Sequence, residues 1–228
     1  MTDYEAIVEG SLRLTAKDLR VEFRRLYELL SIVTFAVSSV LIVSFNWRGA
    51  AYPPGDVVSV VLWVITFFSC ILILTTSFSR EVDRGTIDGL RSLPLRVESI
   101  LLGKFVYGFV LMSLIIGIVL ASSVVFMGVD AGLLGLLVIV FVVGYLDLTL
   151  VGSMISALLI YSEGKTLLMS FLLLPASIPV LIPGTGMTVK VLAGAGLLGV
   201  MPELRLLAAY FILVALVSVF LFPEVFSE

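Results

Sequence analysis

VVSVVLWVITFFSCILILTTSF, residues 57–78, runs directly into SREVDRGTIDGLRSLPLRVESILLGK, residues 79–104. The first stretch carries no charge, and a helix needs about 20 apolar residues to cross ~30 Å of hydrocarbon. Nine of the 27 residues from Phe78 to Lys104 are charged: Arg80, Glu81, Asp83, Arg84, Asp88, Arg91, Arg96, Glu98 and Lys104. A second apolar run begins at about residue 100. Span, polar island, span is the arrangement of a membrane bundle.

Outward from this point the pattern repeats. Six spans are predicted, at 27–45, 57–78, 100–127, 132–161, 165–183 and 203–224. The third and fourth exceed the length of a crossing, so tilt or projection is expected. The 228 residues are 60% hydrophobic and 14% charged, against about 25% charged in soluble domains. The expected fold is an all-α membrane protein, one transmembrane permease-like domain over 1–228. No cleaved leader is expected, because the first apolar run starts near residue 29 behind a charged segment.

Basic residues set the expected orientation. Arg13, Lys17, Arg20, Arg24 and Arg25 precede the first span, Arg80, Arg84, Arg91, Arg96 and Lys104 occupy the island, and Lys165 lies between spans four and five. The other side has only Arg48, Lys190 and Arg205, which is 11 against 3. The positive-inside rule then predicts a cell-membrane protein with both termini and the island in the cytoplasm. Trp47 and Tyr52 flank the first outer loop, where interfacial aromatics belong.

Residues 11–26 are too charged to cross. Leu12, Ala16, Leu19, Phe23 and Leu26 fall on one helical face, with Arg13, Lys17, Arg20 and Arg24 elsewhere. This predicts an amphipathic helix in the headgroup layer. A plain extension of span one is the alternative.

Several classes are excluded or disfavoured. There is no basic tail for nucleic acid. Cys70 is the single cysteine, so no intramolecular disulfide or cysteine metal cluster exists, and an inert buried thiol is expected. Histidine is absent, which removes the commonest metal ligand and the usual axial ligand of haem iron. No metal site is predicted. The Walker phosphate-binding pattern is missing, so any ATP is bound by another subunit. No nucleophile constellation stands out, and the chain is not expected to be an enzyme.

The island has internal punctuation. Residues 79–83 continue span two into water, Gly85 permits unusual backbone angles, and Thr86 is a plausible helix N-cap. Ile87, Leu90 and Leu93 make a short apolar stripe that Pro94 ends. A helix over 87–93 would offer a knob to a cytoplasmic partner. A solvated loop that only anchors topology is the other reading, and the residues alone leave both open.

At these residues a resemblance enters. Glu81-x-x-x-Gly85-Thr86-Ile87-Asp88-x-Leu90, followed by Pro94, resembles the coupling region of type-2 ABC exporter permeases. More narrowly, the chain resembles the haem exporter protein B family of cytochrome c biogenesis. The matching stretches are Lys17 to Arg24, Phe78 to Lys104, and Leu174-Pro175-Ala176-Ser177-Ile178-Pro179-Val180-Leu181-Ile182. The resemblance implies six spans, an amphipathic N-terminal helix and a coupling loop at 79–99 that contacts the ATPase. It places ATPase coupling on Arg80, Glu81, Asp83, Gly85, Thr86, Ile87, Asp88, Leu90 and Pro94. Implied partners are an ABC ATPase subunit, a haem-handling membrane protein and a haem chaperone, in a bilayer, with a homodimer or a second permease. This chain would bind no cofactor: ATP sits on one partner and haem on another. Two alternatives stand beside it, an exporter permease for a lipid, drug or peptide, and a stand-alone membrane enzyme or channel.

Two further features lie inside the spans. Pro175, Pro179 and Pro183 are four apart and so share a helical face, and each removes an N–H and crowds the carbonyl four residues earlier. Those carbonyls should meet protein, water or donors such as Ser177. The segment is either a hinge that partly unwinds or a fixed kink. Asp147 is the acid well inside a span; mid-bilayer acids face the bundle interior, and its partner should come from another helix. A binding or gating acid and a protonated or hydrogen-bonded packing residue are both compatible with it. Gly103, Gly108, Gly117, Gly144 and Gly152 are expected at close helix contacts.

Overall fold

A computed structural model describes residues 3–24, 26–47, 52–83, 97–159, 162 and 164–227, with backbone alone at 3–6, 76–83, 97, 165, 166 and 222–227. Among these residues the chain is all helical, in the order α1 (Asp3–Phe23), α2 (Leu26–Asn46), α3 (Gly55–Asp83), α4 (Val97–Met127), α5 (Leu134–Leu158), α6 (Lys165–Leu192) and α7 (Met201–Ser227). Short 3-10 turns, Ala131–Leu133 and Leu197–Val200, lead into α5 and α7. Six helices, α2 to α7, are long and apolar enough to cross a membrane.

Span boundaries move in two places. The fifth span, α6, does not stop near residue 183 but continues to Leu192, with all three prolines inside it. A proline removes only one backbone hydrogen bond, the one from its own nitrogen to the carbonyl four residues earlier, and neighbouring helices in a membrane bundle hold such a helix together. Here α3 does so: Ser59 Oγ donates to Thr185 O at 2.8 Å and Trp63 Nε1 donates to Thr188 Oγ1 at 2.9 Å, both beyond the last proline. The amphipathic helix likewise begins at Asp3, eight residues before its expected start.

Trp63 sits at the centre of one half of the bundle. It is 1% exposed and stacks on Phe141 with ring centroids 4.9 Å apart. Room for the indole comes from Gly144 on α5 and Gly184 on α6: a Cβ at either would lie 2.1 or 2.4 Å from a ring carbon. In the other half, Leu74 occupies the gap left by Gly152 and Gly108, and Ser156 Oγ donates to Leu74 O at 3.1 Å. Gly103 accommodates Leu14 of α1. Gly117 departs from the expectation, since a Cβ there would meet nothing within 4 Å. A glycine on an open helix face looks identical in sequence to one at a contact.

Cys70 is fully buried. A membrane-permeant maleimide is therefore expected to leave it unmodified in the folded protein and to label it after denaturation, as read by intact mass. Labelling in the native state would contradict this packing.

The two ends of the bundle are distinct. At one end, the end of α3, the start of α4, helix α1 and the last turns of α7 come together. Helix α1 packs along the first turns of α4, and Glu98 and Leu101 of α4 share a cavity with Ser218 and Val219 of α7. At the other end, Ser44 Oγ donates to Phe126 O, Tyr52 covers Gly128, whose φ of +71° favours glycine, and Lys190 pairs with Glu203.

Candidate functional site

The polar island is approached by two helices. α3 stays helical to Asp83, five residues past the end of its apolar run at Phe78, which is about 8 Å of projection at ~1.5 Å per residue. α4 resumes at Val97. Arg80, Glu81 and Asp83 therefore lie on the projecting end of α3, described there by backbone alone. Gly85, Thr86, Ile87, Asp88, Leu90 and Pro94, with the expected helix at 87–93, lie outside the described residues.

What is described is the clasp that fixes the root of α4. Lys104 is 1% exposed and its Nζ lies 2.8 Å from Asp18 Oδ2 of α1. Asp18 also pairs with Lys17 at 3.3 Å. One turn further along α4, Tyr107 donates its hydroxyl proton to Glu22 Oε2 at 2.7 Å, both residues being buried. Thr15 Oγ1 donates to Gly103 O and also to Ser11 O, each at 2.9 Å. The small profile of Gly103 allows the approach, since a Cβ there would sit 3.0 Å from Leu14 and 3.1 Å from Ser11 O.

Thus α1 turns its polar seam inward. Ser11, Thr15 and Glu22 are buried, Asp18 is half-buried, and the spacing of four, three and four keeps them on one face. Most of the expected apolar stripe points outward, with Leu12 55% and Phe23 46% exposed and Ala16 exposed, but Leu19 packs against the core, and the helix ends at Phe23 so that Leu26 belongs to α2. Arg13, Lys17, Arg20 and Arg24 are exposed. This is the layout of a helix lying at a membrane interface, with its apolar stripe free for lipid and its cations near headgroups. The sequence reading found the stripe; it missed that the intervening polar residues are a protein contact.

The proline face divides. Steps of four residues advance the face by about 40° each. Accordingly Pro175 and Pro179 are exposed and Pro183 is buried. The carbonyls freed are those of Phe171, Pro175 and Pro179. Ser177 Oγ donates instead to Leu174 O at 2.8 Å, and Tyr210 donates to Ala176 O at 2.6 Å, carbonyls that no proline frees. The expected help from Ser177 is thus directed elsewhere, and α6 remains one continuous helix through the segment.

Asp147 is 1% exposed, at the middle of α5. The expected partner on another helix is not present: neither carboxyl oxygen meets a donor among the described residues. Thr149, close by in sequence, donates to Tyr145 O at 2.7 Å and to Leu146 O at 3.0 Å of its own helix. The Tyr145 hydroxyl hydrogen-bonds Ser113 at 2.8 Å. Asp147 lines a cavity of about 260 Å³ against α7.

The model of the family described as CcmB protein matches residues 10–227, a range that takes in the clasp, the island, Asp147 and the prolines. No curated protein matches the chain.

Proposed function

The chain belongs to the CcmB protein family, and from that premise we propose that its polar island at 79–99 seats the ATPase of the complex. The chain is the membrane subunit of the haem-export ABC complex of cytochrome c biogenesis. As a multi-pass permease subunit it works with a partner ATPase and other proteins of that pathway. Membership sets aside the reading as a permease for lipid, drug or peptide.

The buried Lys104–Asp18 pair carries the proposal. It couples the helix that emerges from the island directly to α1. A push on 79–99 is then delivered to α4 and α1 together, and through α4 to the bundle. ATP-driven movement would in this way promote release of the haem-loaded chaperone. The excess of basic residues at the island end, 11 against 3, supports placing that end and both termini in the cytoplasm of the cell membrane.

Haem is best assigned to a partner rather than to this chain. No histidine is present, Cys70 is fully buried, and the hydroxyls of Tyr107, Tyr145 and Tyr210 are engaged by Glu22, Ser113 and Ala176. The chain therefore lacks the commonest axial ligand, histidine, and an accessible thiol, which supports placing haem on a partner. An ABC complex works with two ATPase sites, which supports a homodimer. The exposed α6 face at Phe171, Pro175, Ile178 and Pro179 is a suitable seat for the second copy, because contact there would cover carbonyls that lipid cannot satisfy. Pro175, Pro179 and Pro183 remain the hinge candidates, since the bonds they lack soften one side of α6.

The test is substitution at the island, a charge reversal at Glu81 and a β-branched side chain at Gly85. Glu81→Arg and Gly85→Val should insert normally yet lose ATPase co-purification by ~10-fold or more, about 1.4 kcal/mol of affinity. Cytochrome c output should fall with it. Normal ATPase recovery in both variants would refute docking at this loop.

A further inference from the structure

We propose that Asp147 is the acceptor at a docking site for a transmembrane helix of a different membrane subunit, one that presents a hydrogen-bond-donating or cationic side chain at mid-bilayer depth. The inference rests on the reading above in one respect: the complex contains membrane proteins besides this chain.

The cavity beside Asp147 is walled by Val143, Leu146, Ala208, Phe211 and Ile212, so the carboxyl is its one polar feature. Both of its oxygens lack a donor among the described residues. A carboxyl accepts hydrogen bonds whether or not it carries its proton. Leaving that capacity empty inside the membrane is costly, and intramembrane acids are accordingly paired. The cavity therefore has a stated chemical demand, which is a donor with an apolar approach.

Four sources of that donor compare unequally. Water needs two to four polar partners, and this wall offers one residue. Acyl chains donate nothing. Headgroups are too far: Asp147 lies 13 residues from the start of α5 and 11 from its end, at least about 16 Å from either at 1.5 Å per residue. A second copy of this chain has no histidine or glutamine and a single asparagine, Asn46, at the end of α2, and the serine and threonine hydroxyls in its spans, Thr34 of α2 among them, stand on short side chains that reach little beyond their own helix. Its described basic residues lie on α1, which is not a span, or toward the ends of the spans, as Lys104, Lys190 and Arg205 do. A different chain supplies what these cannot.

The surroundings admit a helix. Ala208 and Ala209 are exposed on α7, with Ile212 beside them at 60%. Small residues on a membrane-facing surface let a second backbone approach closely. A helix resting on Ala208 and Ile212 would place one long side chain into the cavity against Asp147.

The complex, purified from membranes with its ATPase and its other integral membrane subunit, provides the test. Asp147→Leu and Ala208→Trp should each reduce recovery of that membrane subunit at least tenfold while the ATPase stays at the wild-type ratio. Asp147→Asn, which keeps an acceptor, should retain most of it. In a Cys70→Ser background, Ile212→Cys labelled with a maleimide-linked benzophenone should photo-crosslink to the membrane subunit. Recovery at the wild-type ratio in both Asp147→Leu and Ala208→Trp overturns the proposal. So does an Ile212→Cys adduct with a second copy of this chain, or retained phospholipid lost in both variants without loss of the subunit. Should Asp147→Leu fail to accumulate, Ala208→Trp decides, since its position is exposed. Absence of the ATPase from the wild-type preparation would instead refute the parent reading.

Discussion

Lys104→Met releases α1 from the bundle. The substitution removes the cation 2.8 Å from Asp18 and leaves the carboxylate half-buried, with Lys17 at 3.3 Å as its other ion-pair partner. Breaking one side of a buried pair costs about 3–5 kcal/mol, because the remaining charge keeps its desolvation penalty. Thr15, which bonds Gly103 O, would lose its setting as the helix lifts. The measurement is thiol access: in a Cys70→Ser background, Thr15→Cys should resist maleimide with Lys104 present and react in Lys104→Met. Cytochrome c maturation should fall in parallel. Adding Asp18→Leu should restore protection, since replacing both members of a buried pair by apolar groups is often near neutral. Protection that survives Lys104→Met would mean that the pair does not hold α1.

Gly184→Val and Gly144→Val should be nearly as damaging, through packing alone. A Cβ at Gly184 would stand 2.4 Å from Trp63, and one at Gly144 2.1 Å. The ring has little freedom to yield. Its Nε1 is bonded to Thr188 and its face is stacked on Phe141. Overpacking of this kind costs about 1–3 kcal/mol, and the upper end is expected where the obstructing group is anchored. Lower thermal stability in detergent is the readout, and the smaller ring in Trp63→Phe should recover part of it. An unchanged melting temperature in both variants would show that the helices separate there at little cost.

The spans were legible because a run such as Val57–Phe78 has few alternatives to crossing a membrane. The stop placed after Pro183 was wrong because the bonds that hold the next turns come from Ser59 and Trp63, more than a hundred residues away. Asp147 was legible as an anomaly of charge in an apolar span; its lack of a partner among the described residues was not, since pairing depends on what other helices bring near. Most instructive is α1. Ser11, Thr15, Asp18 and Glu22 have the period of a helix face, yet polar residues at that period usually read as a solvated face. Only the meeting with Lys104 and Tyr107 makes them an interior. Gly184 gave no signal of a helix contact, because within Pro183-Gly184-Thr185-Gly186 it reads as part of a helix end.

The polar seam of α1 has a consequence in time. Glu22 leaves the ribosome long before Tyr107, 85 residues later, and chains grow at ~5–20 residues per second. For on the order of ten seconds, then, the newborn N-terminal segment holds acids whose partners do not yet exist. Its apolar stripe can already rest on the bilayer during that interval, but its orientation about its own axis is undetermined until the third span arrives. The order of synthesis thus makes α4 the template for a helix that precedes it. Variants that slow insertion of α4 should prolong the period in which α1 is open to proteases, even where the finished protein is as stable as the wild type.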